Sequence, residues 1–101
     1  AQTETLYADD RIHEYIVNLT EETRREPLIA LGVSPRGSIA LLKMARAMAV
    51  MRGGDYVVPE DVLSVIDDVW RHRIRLNARA RAEGLDASKV ILRITERIHA
   101  V

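Results

Sequence analysis

Apolar residues recur every three or four positions in several segments of this chain, a spacing that places them on one face of an α-helix. The first such stripe lies within residues 9–24 and consists of Ile12, Tyr15, Ile16, Leu19 and Thr23. Asp9 or Asp10 can cap the start of this helix. Pro27 stops it, because proline disfavours the helical conformation in the residue before it. The sequence therefore predicts a helix over 9–24, followed by a loop over 28–33.

Ser34 and Pro35 predict the start of a second helix, with serine as the N-cap and proline at the first helical position. This helix extends to Arg52 and ends at Gly53-Gly54, since glycine favours the left-handed C-cap. Its apolar face consists of Leu41, Leu42, Ala45, Met48 and Ala49. Its opposite face carries Arg36, Lys43 and Arg46. One face is therefore predicted to join the core, and the other is basic.

Pro59 opens a third helix after a short extended stretch at 56–58, and the acids Glu60 and Asp61 lie in its first turn, where the helix dipole favours negative charge. The predicted buried stripe is Val62, Val65, Ile66 and Val69, with Leu63 and Trp70 at its edge. Residues 71–76 fit either a short strand or the fraying end of this helix.

Asp86 caps a last helix, which extends to His99. This helix places Val90, Ile91, Ile94 and Ile98 on one face. Four amphipathic helices with short connections predict an all-α fold, a small four-helix bundle, with one short strand pair as the open alternative. A chain of 101 residues, 48% of them hydrophobic, has room for a single domain over 1–101.

The side chains needed for independent catalysis are poorly represented. The chain has no cysteine and no G-x-x-x-x-G-K-[ST] loop to hold nucleotide phosphates. His13, His72 and His99 lack the spacing of zinc ligands, so no metal site is expected. Adjacent carboxylates occur at Glu21-Glu22, Glu60-Asp61 and Asp67-Asp68. The members of each pair point in different directions around a helix, which favours solvated faces and caps over an acid–base pair.

The overall charge argues against an electrostatic attraction to polyanions. Lys and Arg number 15 and are balanced by 15 Asp and Glu, so no net field draws the chain to nucleic acid or to an anionic membrane. No apolar run approaches the roughly 20 residues that a membrane span needs, and the first ten residues lack a signal-peptide pattern. We therefore expect a cytoplasmic location, with no membrane or nucleic-acid partner.

Arg36 departs from an electrostatic rule of helices. A cation in the first turn meets the positive end of the helix dipole, which disfavours it by roughly 0.3–1 kcal/mol. A helix start beside a guanidinium is, however, a strong receptor for phosphate oxygens, and a bound phosphate would offset that cost. The alternative is an exposed arginine that bonds a neighbouring carboxylate.

A second basic feature is the run Arg71, His72, Arg73, Arg75, Arg79 and Arg81, which has no acid before Glu83. Such a run can bind nucleic acid. Trp70, at its edge, is the nearest aromatic residue, so stacking on the bases of a single strand is poorly supported. A protein interface, or ion pairs with the acids of the third helix, is the favoured interpretation.

The order of these motifs resembles the C-terminal lid of MoxR-family AAA+ ATPases. The resemblance is carried by residues 32–74, GVSPRGSIALLKMARAMAVMRGGDYVVPEDVLSVIDDVWRHRI. The family pattern Gly-Ala-Ser-Pro-Arg-Ala matches 32–37, Gly-Arg-Asp-Tyr-Val-Thr-Pro-Asp-Asp-Val matches 53–62, and Val-Leu-Arg-His-Arg matches 69–73. Together these matches predict that 1–101 is an AAA+ lid, or sensor-2, domain from which the nucleotide-binding core is absent.

The chain departs from the family pattern at Val33 and Gly37 (both alanine in the family), Gly54 (arginine), Val58 (threonine) and Trp70 (leucine). Glycine in place of alanine at position 37 is expected to weaken the helix start by roughly 0.5–1 kcal/mol. Valine in place of threonine at position 58 forfeits an N-cap of about 1 kcal/mol.

The resemblance implies that Arg36 is the sensor-2 arginine, which reaches toward the γ-phosphate of ATP held with Mg²⁺ by the core domain. Ser34, Pro35 and Arg36 are then the nucleotide-binding residues, and Arg36 contributes to catalysis when the core is present. ATP would close the lid and hydrolysis would reopen it, which couples ATP to chaperone-like remodelling or cofactor insertion.

The partners implied by the resemblance are the lid's own core domain, neighbouring protomers of a hexameric ring and von Willebrand A domain proteins. By itself, the chain is expected to bind no cofactor and to have no enzymatic activity. The alternative from another class is a histone-fold-like protein-interaction module without nucleotide chemistry.

Overall fold

The computed structural model describes residues 8–100. The elements are α1 (Asp10–Arg25), β1 (Ile29–Leu31), α2 (Pro35–Met51), α3 (Pro59–Trp70), β2 (Arg75–Leu76), α4 (Ala78–Ala82) and α5 (Ala87–Arg97). The four predicted helices are confirmed as α1, α2, α3 and α5. The short strand pair, left open by the sequence, is present.

The two strands join the segment that follows α1 to the segment that follows α3. β1 and β2 pair antiparallel, with Ile29 opposite Leu76. The Asn77 N–H, just after β2, donates to the carbonyl of Leu28 at 3.0 Å. The prediction of a plain loop over 28–33 is wrong, because Leu28 is buried and Ile29 packs against the core, so their backbone groups need partners within the protein.

The chain after β2 differs from the prediction at two places. The short helix α4 was not predicted; the Asn77 side chain caps it by accepting from the Ala80 N–H at 3.0 Å. The last helix ends at Arg97 instead of His99, because Ile98 has an extended backbone and acts as the C-cap.

Trp70 is the largest fully buried side chain of the core. Its predicted place at the edge of the α3 stripe is wrong. It lies four residues after Ile66, which in turn lies four after Val62, and both of these residues are buried. Trp70 therefore continues a buried ridge of α3 against α2, the helix that α3 contacts most.

Asp61 is buried, so the prediction of a solvated face is wrong for this residue, whereas the prediction of a helix cap is confirmed. Arg52 donates to both carboxylate oxygens, from Nε at 2.9 Å and from Nη2 at 2.8 Å, and the Val58 N–H donates at 2.9 Å. Burial raises the pKa of the Asp61 carboxyl, but these hydrogen bonds outweigh burial and hold the pKa below its ordinary value. The Asp61 carboxylate thus forms one half of a capping box, the bond from the Val58 N–H, whereas the reciprocal side-chain bond is missing because valine has no acceptor.

Candidate functional site

Ser34 caps the start of α2, as the sequence predicts. Its backbone is extended, and its hydroxyl oxygen accepts from the Gly37 N–H at 3.3 Å. Its carbonyl accepts from the Gly37 N–H at 2.9 Å and from the Ser38 N–H at 3.2 Å. Pro35 occupies the first turn, where its fixed backbone angle suits a helix. The first turn that carries Arg36 is therefore well defined.

Arg36 is exposed to solvent. Among residues 8–100 it forms no ion pair and no side-chain hydrogen bond. The alternative of a surface arginine bonded to a neighbouring carboxylate is therefore wrong for the part of the chain that the structure describes. The positive charge stays available at the positive end of the α2 dipole, where an anion would be stabilised.

Buried residues of the core pack tightly against the start of α2. The indole Nε1 of Trp70 donates to the carbonyl of Gly37 at 3.0 Å in a buried environment. Val33 is fully buried beside them. A Cβ at Gly37 would lie 2.5 Å from Val33 Cγ1, closer than two carbon atoms can pack. Three of the departures from the family pattern thus meet at one point, where the larger Val33 requires the smaller Gly37.

This packing corrects the expectation that glycine weakens the helix start relative to alanine. In this protein we expect Gly37→Ala to lower the free energy of unfolding by about 1–3 kcal/mol, because the new methyl group overlaps Val33. Val33→Ala alone should cost about 2 kcal/mol through the cavity that it leaves. The double variant should lose at least about 1 kcal/mol less free energy of unfolding than the two single variants lose together. The reason is that Val33→Ala removes the side-chain carbon that the new methyl group at position 37 would overlap.

Urea unfolding of the two single variants and the double variant measures this coupling. The matched control pairs Gly37→Ala with Val90→Ala, a buried valine of α5, for which additive costs are expected. Additive costs for positions 33 and 37 would contradict the packing described here.

Part of the basic run after α3 is engaged in local ion pairs. Arg71 binds Asp67 at 3.2 Å and Asp68 at 2.8 Å, and Arg79 binds Glu83 at 3.2 Å. The Arg71 contacts confirm the predicted ion pairs with acids of the third helix for that residue, whereas the Arg79 pair with Glu83 was not predicted. The expectation that Asp61 joins them is wrong, since Arg52 binds that carboxylate instead.

Within residues 8–100, no group of three His, Asp or Glu side chains is arranged to hold a metal ion. No helix in that range is both long and apolar enough to cross a membrane.

The family description "AAA lid domain" matches residues 21–94, which contain the α2 start and most of the core. The chain belongs to this family. The resemblance found in the sequence is confirmed, and the histone-fold alternative is wrong.

Two curated relatives resemble the lid domain over most of its length. It is 42% identical to the Bacillus subtilis protein YeaC over 93 residues, which are 92% of the chain and 29% of that protein. It is 36% identical to the chaperone MoxR1 of Mycobacterium tuberculosis over 94 residues, which are 84% of the chain and 25% of that protein.

A solved structure has the same fold. A crystal structure from Cytophaga hutchinsonii, assigned as an ATPase, superposes with a TM-score of 0.90 at 30% identity, over 98% of the lid domain and 33% of that chain. The lid domain thus spans about a third or less of each of these proteins.

The sequence did not lead us to place Trp70 and Arg73 beside the start of α2. The periodicity from Val62 through Ile66 was a sufficient signal for burial of Trp70, but nothing local indicated that its indole bonds Gly37. The approach of Arg73 to Gly37 had no sequence signal, because the two residues belong to different parts of the fold.

Proposed function

We propose that this chain is the lid of a MoxR-type AAA+ ATPase and that Arg36 contacts the γ-phosphate of ATP bound by the core domain of the same protein. The observation that supports this most strongly is the exposed guanidinium of Arg36, which has no partner among residues 8–100. It sits on a helix turn that Ser34 caps and Trp70 anchors. A rigid support of this kind suits a residue whose position must be defined.

The chemistry of the site suits a phosphate ligand. The planar guanidinium can donate two parallel hydrogen bonds to phosphate oxygens, and both bonds are strengthened by charge. The Ser34 hydroxyl oxygen accepts from Gly37, which leaves its proton for a phosphate oxygen. Pro35 has no N–H and contributes a fixed backbone angle. We assign Ser34, Pro35 and Arg36 together to the nucleotide, with Mg²⁺ and the phosphate-binding loop supplied by the core.

The contact with the γ-phosphate would make the lid sensitive to hydrolysis. Arg36 loses its partner when phosphate leaves, so the closed arrangement loses binding energy and the lid reopens. We propose that a ring of protomers, hexameric and cytoplasmic, uses this motion for chaperone-like remodelling or cofactor insertion together with von Willebrand A domain proteins.

The experiment compares nucleotide affinities of the full-length ATPase and its Arg36→Ala variant by calorimetric titration. Affinity for a non-hydrolysable ATP analogue should fall about tenfold, since a hydrogen bond to a charged group contributes roughly 1.5–3 kcal/mol. Affinity for ADP should change less than about twofold, because ADP lacks the γ-phosphate. Lys43→Ala is the matched control, an exposed cation on the same helix. An equal loss for both nucleotides, or no loss for the ATP analogue, would contradict the proposal.

A further inference from the structure

A second arginine lies against the helix turn that carries Arg36. The Cδ of Arg73 is 3.3 Å from the place that a Cβ on Gly37 would occupy. Gly37 follows Arg36 directly, so the aliphatic part of Arg73 lies against the turn that carries Arg36. Arg73 also lines a surface groove with Ala40 and Met44, which share the Arg36 face of α2. A side chain at position 37 would overlap Val33 and would press on Arg73, which would have to shift by a few tenths of an ångström.

The backbone that carries Arg73 is fixed to the same turn. The Trp70 indole donates to the Gly37 carbonyl at 3.0 Å, and the Arg73 N–H donates to the Trp70 carbonyl at 2.8 Å. Two consecutive bonds thus connect Gly37 to Trp70 and Trp70 to Arg73. The position of Arg73 relative to α2 is set by the core and not by a free loop.

The charge of Arg73 is not compensated in the part of the chain that the structure describes. Arg71 and Arg79 of the same run bind carboxylates, whereas Arg73 is exposed and forms no ion pair among residues 8–100. Arg36 and Arg73 are thus two exposed cations without a carboxylate partner among residues 8–100, and both belong to the surface around the α2 start. A bound polyanion would supply the negative charge that neither of them receives from a carboxylate.

We infer that Arg73 is a second phosphate-binding residue of the lid, which acts with Arg36 on the polyphosphate chain of the nucleotide. This inference rests on the proposed function, since the core must present the nucleotide. A triphosphate carries more negative charge than one guanidinium can neutralise, and two guanidinium groups from different elements can contact different oxygens.

The test uses the full-length ATPase with Arg73→Met, which keeps the aliphatic cover over Gly37 and removes the charge. Affinities for ADP and for the non-hydrolysable ATP analogue are titrated at several salt concentrations, and the thermal midpoint is recorded. Arg73→Met should weaken binding of the ATP analogue about tenfold and make its salt dependence shallower, because one cation no longer faces the phosphates. Arg73→Lys should recover part of this loss. Arg75→Met, which removes an exposed arginine on β2, should stay within about twofold of the parent.

The outcomes separate this inference from the proposed function. If Arg73→Met binds the ATP analogue as Arg75→Met does, while Arg36→Ala binds it more weakly, Arg73 is not a phosphate-binding residue and the proposed function stands. A loss of affinity with unchanged salt dependence and a lower thermal midpoint would assign Arg73 a packing role and overturn the inference. If Arg36→Ala binds the ATP analogue normally, the proposed function fails, and the inference fails with it.

Discussion

Arg36→Ala in the full-length protein is expected to lower the rate of ATP hydrolysis at saturating ATP by roughly 100-fold. A loss of this size is typical when an enzyme loses one preorganised hydrogen-bond donor that stabilises charge in the transition state. The guanidinium would stabilise the negative charge on the transferring phosphoryl group. A water molecule that fills the space in the Arg36→Ala variant cannot replace the guanidinium, because the water is not held in position. Steady-state measurement of phosphate release gives the rate. A rate within twofold of the parent would refute the role of Arg36.

The same substitution should leave the lid folded. Arg36 is exposed and has no partner among residues 8–100, so the free energy of unfolding should change by less than about 0.5 kcal/mol. The direction is toward greater stability, because the change removes a cation from the positive end of α2. Lys43→Ala controls for the loss of one positive charge from the same helix. A slow Arg36→Ala variant that is also strongly destabilised would point to a structural cause.

The largest effect on stability is expected at Trp70. Trp70→Ala should lower the free energy of unfolding of the lid by about 3–5 kcal/mol, because it empties the volume of the largest fully buried side chain. Trp70→Phe fills most of that volume but loses the hydrogen bond from the indole to the Gly37 carbonyl, which should cost about 1 kcal/mol. Urea unfolding measures both costs.

The control for Trp70 is Leu63→Ala, which truncates an apolar side chain of the same helix that is 43% exposed. Its cost should be about 1 kcal/mol, because a large share of this side chain is already in contact with water and its removal leaves no enclosed cavity. A Trp70→Ala variant no less stable than Leu63→Ala would contradict the placement of the indole beneath α2.

The helices could be predicted because each one is encoded locally. The Ser34-Pro35 start, the Pro59 start and the Asp86 cap are contained in one or two residues each, and the apolar stripes repeat within a single helix. The pairing of β1 with β2 could not be derived in this way. It joins short segments on either side of two helices, and neither segment has enough residues to show an alternating pattern.

The candidate site was only partly predictable for the same reason. Arg36 stood out because its charge conflicts with its own helix, a conflict visible in the sequence. The compensation of Val33 by Gly37 and the burial of Asp61 under Arg52 depend on distances across the fold. Glycine at position 37 looked unfavourable alone, and the packing of Val33 that favours it is not visible in the local helix pattern.

A crystal structure of the full-length protein with Mg²⁺ and a non-hydrolysable ATP analogue would show whether Arg36 contacts the nucleotide. We expect a guanidinium nitrogen of Arg36 within about 2.7–3.2 Å of a γ-phosphate oxygen. An Arg36 side chain that extends into bulk solvent, with the analogue fully ordered in the core and no contact between the two, would contradict it.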